Sequence, residues 1–161
     1  MNARISCLSA LLVPWLALAA TPSAKEPATM HAQGKFDVKV KPQTPDNPEA
    51  QASGLSRLSL DKRFHGALDA ASKGEMLASG DGTRSGAYVA LETVTGTLRG
   101  RSGSFVLMHS AVMRQGVPEN WSVTVVADSG TGDLTGLEGA MKIVIADGVH
   151  SYEFEYTLPD T

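Results

Sequence analysis

The sequence predicts an all-β fold, a single eight-stranded antiparallel β-barrel behind an N-terminal signal peptide. Three observations carry this reading. Eight segments read as strands, most of them alternating apolar and polar residues, and Gly, Pro, Asn, Asp or Ser clusters separate them. No segment shows the apolar spacing of an amphipathic helix. Most connections are short, so the strands form a meander that can close on itself and leave no exposed edge.

The chain of 161 residues suits one domain once its leader is removed. Residues 1–19 read as a secretory signal. Arg4 gives a positive start, Ile5 to Leu18 are mostly apolar, and Ala17-Leu18-Ala19 offers the small-x-small cleavage pattern, with the cut after Ala19. The apolar run is shorter than the roughly 20 residues a membrane helix needs, and Pro14 interrupts it. The mature protein is therefore expected in the periplasm or outside the cell, with no membrane association after cleavage. The only cysteine, Cys7, leaves with the leader, which excludes disulfides, thiolate metal sites and thiol nucleophiles. The whole chain has 14 basic and 17 acidic residues, and loss of Arg4 takes the net charge from −3 to −4. Without a basic stripe to neutralise phosphates, nucleic acid is not an expected partner.

Residues 20–32 carry no hydrophobic period and read as a disordered lead-in to a barrel domain at 33–159. Lys35 to Lys41 then alternates, with Phe36, Val38 and Val40 on one face and four charges on the other. Pro42 to Gly54 holds three prolines and reads as a long loop, a candidate lid over one end. Ser56 to Phe64 alternates again, with Leu58, Leu60 and Phe64 on its apolar face. Asp69-Ala70 is the expected turn into Lys73–Gly80, and Gly82 to Gly86 leads into Ala87–Thr97. Gly100 to Gly103 turns into Ser104–Met113, and Gly116-Val-Pro118 breaks the pattern before Trp121–Ala127. A glycine-dense stretch, Ser129–Gly139, precedes the last hairpin. There Asp147-Gly148 is a two-residue turn signal, since both positions need positive φ. It pairs Ala146 with Val149, Ile145 with His150, Ile143 with Tyr152 and Met141 with Phe154.

Strand parity nominates the polar groups that face inward. A two-residue turn at Asp69-Ala70 pairs Phe64 with Glu75 and sets that carboxylate on the apolar side, whereas a three-residue turn sets it on the polar side. A buried carboxylate must find a partner or shift its pKa. A two-residue turn at Gly100-Arg101 sets Glu92 opposite His109, on a face shared with Tyr88, Ala90, Val94, Phe105 and Leu107. An inward Glu–His pair beside a tyrosine has the makings of acid/base chemistry; the same two residues on an outer face would be an ordinary ion pair. His65, His109 and His150 match no metal-ligand spacing, so no metal is expected. Gly130-Thr-Gly132-Asp-Leu-Thr-Gly136 loosely matches a dinucleotide fingerprint but runs into a strand instead of opening a helix, so no cofactor is expected. Its glycines fit positive φ and a sharp corner. Gly100 to Ser104 lacks the last glycine of a nucleophile elbow, and Asn120-Trp-Ser122 is formally a glycosylation acceptor.

Several motifs together resemble the bacterial "domain of unknown function 3224" family. They are Phe64-His-Gly66, Ser72-Lys-Gly-Glu-Met-Leu77, Tyr88-Val-Ala-Leu-Glu92, Gly96-Thr-Leu98, Gly100-Arg-Ser-Gly-Ser-Phe105, His109-Ser110 and Ser129 to Gly139. The resemblance covers residues 33–159. It implies an eight-stranded barrel similar to allene oxide cyclase, and it implies no function, the family being uncharacterised. Allene oxide cyclase-like proteins hold an apolar substrate in the lumen with a glutamate assisting, but too little local sequence is shared to carry that site over.

The expected function is binding of a small, largely apolar molecule in the lumen. Phe64, Phe105, Ile143, Tyr152 and Phe154 are the expected apolar walls, with Leu60 and Met141. Tyr88, Glu75, Glu92 and His109 are the groups that orient the ligand. The alternative is an isomerase or cyclase using Glu75 or Glu92 as acid/base with His109. A third reading is a structural or oligomerisation module, suggested by a second apolar face at Val89, Leu91, Val106, Met108 and Val112.

Overall fold

The computed structural model describes residues 27–80 and 84–159; the expected leader, its cleavage site and Gly82 lie outside the described residues. Eight strands follow in order: β1 (Met30–Gln43), β2 (Ser56–Gly66), β3 (Leu68–Ser79), β4 (Gly86–Leu98), β5 (Arg101–Arg114), β6 (Val117–Val125), β7 (Glu138–Ala146) and β8 (Val149–Thr157). Each pairs antiparallel with its sequence neighbour, and β1 pairs with β8, closing the barrel. The predicted fold class stands.

The last hairpin has the predicted register throughout, because Asp147 and Gly148 both take positive φ. Elsewhere the boundaries move. β1 starts at Met30, so Met30 to Ala32, read as lead-in, already pair with Tyr156 to Phe154. Small inward residues, Ala32 and Gly34, hid the alternation there. The Pro42–Gly54 segment holds α1 (Pro48–Ser53), begun by Asn47, whose side chain accepts from the Ala50 amide, and ended by Gly54 in the left-handed region. It buries no residue and so covers nothing as a lid would. β6 begins at Val117, and a bulge between Ser110 and Val112 separates the two runs of its pairing with β5.

Two hairpins change the inward set. The β2–β3 bend sits at Ala67, which pairs Phe64 with Ala70 and Glu75 with Ser59. That register differs from the expected one by an odd number of residues, so Glu75 moves to the outer face. The β4–β5 turn is at Arg99-Gly100, pairing Glu92 with Leu107 and Ala90 with His109. This shift is even, and Glu92 and His109 keep the same face.

The two ends of the barrel differ. At the end carrying the β2–β3, β4–β5 and β6–β7 connections, Phe64, Leu68, Val94, Leu98, Phe105, Leu134, Leu137, Phe154 and Tyr156 form a continuous core. The glycine-dense segment seals it. Gly132 and Gly136 take positive φ around a 3₁₀ turn at Gly132–Leu134, and Leu134 and Leu137 are fully buried. The same segment takes over pairing of β5 where β6 leaves it: the Thr131 amide donates to the Ser104 carbonyl, and the Ser104 amide donates to Thr131 Oγ1. At the opposite end the inward positions open to solvent: Val40 is 44%, Ile145 52% and Trp121 38% exposed. This is a mouth.

Candidate functional site: a buried polar cluster below the open mouth

Four consecutive strands each place one polar side chain on the inward face between the mouth and the core. They are Lys62 on β2, Ser72 on β3, Glu92 on β4 and His109 on β5. Glu92 is the centre. Its side chain has no solvent exposure, and both oxygens are engaged: Lys62 Nζ donates to Oε1 at 2.7 Å and Ser72 Oγ donates to Oε2 at 2.7 Å. Lys62 and Ser72 are direct cross-strand partners, so the β2–β3 register delivers both donors together. Gly74, opposite Glu92, makes the packing possible, since a Cβ there would lie 2.5 Å from the Glu92 Cβ and 2.2 Å from the Leu91 carbonyl oxygen. Lys62 Nζ also lies 5.4 Å and 5.9 Å from the Phe36 and Phe64 ring centres, a cation–π arrangement that helps to hold the ammonium away from water.

His109 completes the group on different terms. Its Nε2 is 3.6 Å from Glu92 Oε1, too far for a hydrogen bond, and this buried atom has no hydrogen-bond partner. Burial, reinforced by the Lys62 charge and only partly offset by Glu92, lowers its pKa to about 4. The ring is thus neutral at physiological pH. Tyr88 packs edge-on against it, ring centres 5.9 Å apart. Burial raises the Tyr88 pKa, so the phenol keeps its proton. Chemically, each Glu92 oxygen already accepts one hydrogen bond, whereas His109 offers a nitrogen with no partner, next to the Tyr88 ring.

The sequence-nominated residues therefore separate. Glu92, His109 and Tyr88 converge. Glu75 does not: it is exposed on the outside, gripped by Arg57 through Nε at 2.8 Å and Nη2 at 2.9 Å, and Arg57 holds its carboxyl below the usual range. Phe64, Phe105, Tyr152 and Phe154 are at most 1% exposed, and their rings pack on one another or on neighbouring aromatics. They pack into the core of the sealed half of the lumen. Tyr152 also pins β8 to the β2–β3 bend, its hydroxyl accepting from the Leu68 amide and donating to the His65 carbonyl. Ile143 is half-buried nearer the mouth.

Sequence reasoning missed Lys62 and Ser72. The signal was present, for Lys62 stands between Leu60 and Phe64 at the inward parity of β2. Ser72 shares the parity of Leu68 and Ala70 on β3.

A second concavity runs along one seam of the barrel wall. β6 and β7 share a single registered pair, Thr124 with Ala140, and at this weak seam a cleft of about 1140 Å³ is lined by residues of both faces, among them outward Gln33, Ser122 and Lys142 and inward Trp121, Met141 and Ile143. Its side chains are mixed in charge and offer no comparable convergence.

Comparison with known proteins agrees with the fold and with the motifs. A family model described as "Protein of unknown function (DUF3224)" matches residues 32–156. A crystal structure of a protein of unknown function from the DUF3224 family of Shewanella oneidensis MR-1 is similar, with 42% identity and a TM-score of 0.72. The match covers 83% of this chain and all of that one. No curated protein matches. With most of its length matched by the family model, and its barrel shared with a member 42% identical, this chain belongs to the DUF3224 family.

Proposed function

We propose that this protein is a periplasmic or secreted binding protein that takes a small, largely apolar molecule into the mouth of its barrel. One observation carries the reading: the buried His109 Nε2 without a partner, set beneath an apolar mouth. A buried polar atom without a hydrogen bond costs about 1–3 kcal/mol, so a partner is expected from outside the protein. The mouth supplies the apolar contacts through Val40, Ile143, Ile145 and Trp121, and His109 with Tyr88 supplies the orienting polar end. A ligand with one hydroxyl or amide N–H group on an apolar body suits this arrangement, because neutral histidine can accept from it. In this reading Glu92 serves as the anchor of Lys62, each of its oxygens already accepting one hydrogen bond.

The test is mass spectrometry of small molecules released from the purified protein, comparing wild type with Ile145→Glu, which puts a charge across the mouth. The expected result is one compound class near stoichiometric amount in the wild type, reduced about tenfold or more in the variant, a loss of at least 1.4 kcal/mol of binding. No bound compound from protein produced in its native host, or one retained equally by both forms, would overturn the proposal.

A further inference from the structure

The outer face of the barrel is divided by charge. On β1 the outward positions run His31, Gln33, Lys35, Asp37, Lys39 and Lys41, and on β2 they include Arg57, Asp61 and Arg63. On β4 they run Ala87, Val89, Leu91, Thr93, Thr95 and Thr97, and on β5 from Ser102 to Val112; neither run holds a charge. Within this uncharged sector Val89 is 58%, Leu91 54% and Met108 50% exposed, and Leu77 of β3 and Val112 are nearly half exposed. The register makes them neighbours: Leu77 lies beside Val89, and Leu91 beside Met108. Along the β3 side the patch is rimmed by charges already paired within the chain, Arg57 with Glu75 and Lys73 with Asp61, and at the mouth end by Arg114 with Glu119.

We propose that this face is the interface of a homodimer, with β4 of one copy packed on β4 of the other about a two-fold axis. Three considerations select a second copy as the occupant. The first is size. Five large side chains about half exposed present on the order of 400 Å² of apolar surface, and a stable interface takes about 800 Å² per partner with an apolar core and a polar rim. The second is charge. A two-fold contact brings each residue near its own counterpart, so a charge near the axis would meet its like; this sector has none. The third is the rim, whose internally paired charges offer neither a net field for a charged partner nor a basic girdle for an anionic membrane.

Sedimentation and cross-linking of the full chain test this. Wild type should sediment at twice the monomer mass, and Leu91→Glu should lose the dimer while keeping its far-UV circular dichroism. In a Cys7→Ser background, Val89→Cys should form a disulfide-linked dimer on mild oxidation, whereas Gln33→Cys, on the opposite wall, should not. The cross-link decides the matter if Leu91→Glu fails to fold. A wild type that is monomeric at every concentration, a dimer that survives Leu91→Glu, a closed trimer, or preferential linking through Gln33→Cys would each overturn the two-fold pairing. So would a monomer that binds anilinonaphthalene sulfonate at this face only after residues 1–29 are removed, since the chain's own N-terminal segment would then be the cover.

Discussion

Lys62 and Glu92 form an ion pair almost wholly removed from water, with side-chain exposures of 10% and 0%. Their attraction roughly offsets the desolvation of two charges, so the pair contributes little net stability, while breaking it is costly. Glu92→Gln strands an ammonium against the Phe36 and Phe64 rings, and Lys62→Met leaves a buried carboxylate with the Ser72 hydroxyl and the neutral His109 ring beside it. Each single substitution should cost about 3–5 kcal/mol in urea unfolding, and the Lys62→Met/Glu92→Leu double variant should recover most of that. Additive losses in the double variant would show that the two groups do not act as a pair. The cluster was legible in part from the sequence. Parity alone finds Lys62 between Leu60 and Phe64, but that its ammonium meets Glu92 across β3 depends on Gly74, whose missing Cβ no alternation pattern reveals.

At the scale of elements, the sequence is informative where turn chemistry is decisive and weaker where it is not. Asp147-Gly148 fixes its hairpin residue by residue, because few other conformations suit that pair. At the β2–β3 bend the signal is a single glycine, Gly66, whose positive φ turns the chain at Ala67, and Asp69-Ala70, which looks more like a turn, lies within β3. A two-residue turn at Asp69-Ala70 sets Glu75 inward, and the observed register sets it on the outer face, as a three-residue turn there does. At Arg99-Gly100 the error was even, and the Glu92–His109 neighbourhood survived it. Pairing strength also varies between elements. The β6–β7 seam holds one registered pair, whereas β3–β4 is a continuous ladder from Leu68 to Ser79. Amides of β6 and β7 that face the seam should therefore exchange with deuterium at least about tenfold faster than inward-core amides of β3 and β4, since opening there breaks few bonds. Equal protection across both seams would show that β6 and β7 are tied more firmly than their register implies.

For the molecule as a whole, His109 links the site to stability. Its pKa is about 4 in the fold against 6.5 for a free histidine, lowered chiefly by burial and then by the Lys62 charge. Between those values the unfolded chain binds a proton that the folded chain refuses, so stability must fall as pH drops from about 6.5 toward 4 and stop falling on this account below it. At 1.36 kcal/mol per unit the full loss is about 3 kcal/mol, a large share of the 5–15 kcal/mol typical of a domain. The exposed carboxylates Asp46, Asp61 and Glu75 are held low by Arg57 or Lys73, so their contribution is lost at lower pH. The difference between wild type and His109→Asn from pH 6.5 to 4 therefore reports on His109. In His109→Asn the urea midpoint should change little over that window, while in the wild type it should fall. A ligand that hydrogen-bonds to Nε2 of the neutral ring stabilises that form further, so a saturated protein should hold its midpoint to lower pH than the free one. Parallel curves for wild type and variant would mean that His109 takes up its proton alike in the folded and unfolded chains, and that burial does not hold the ring neutral below pH 6.5.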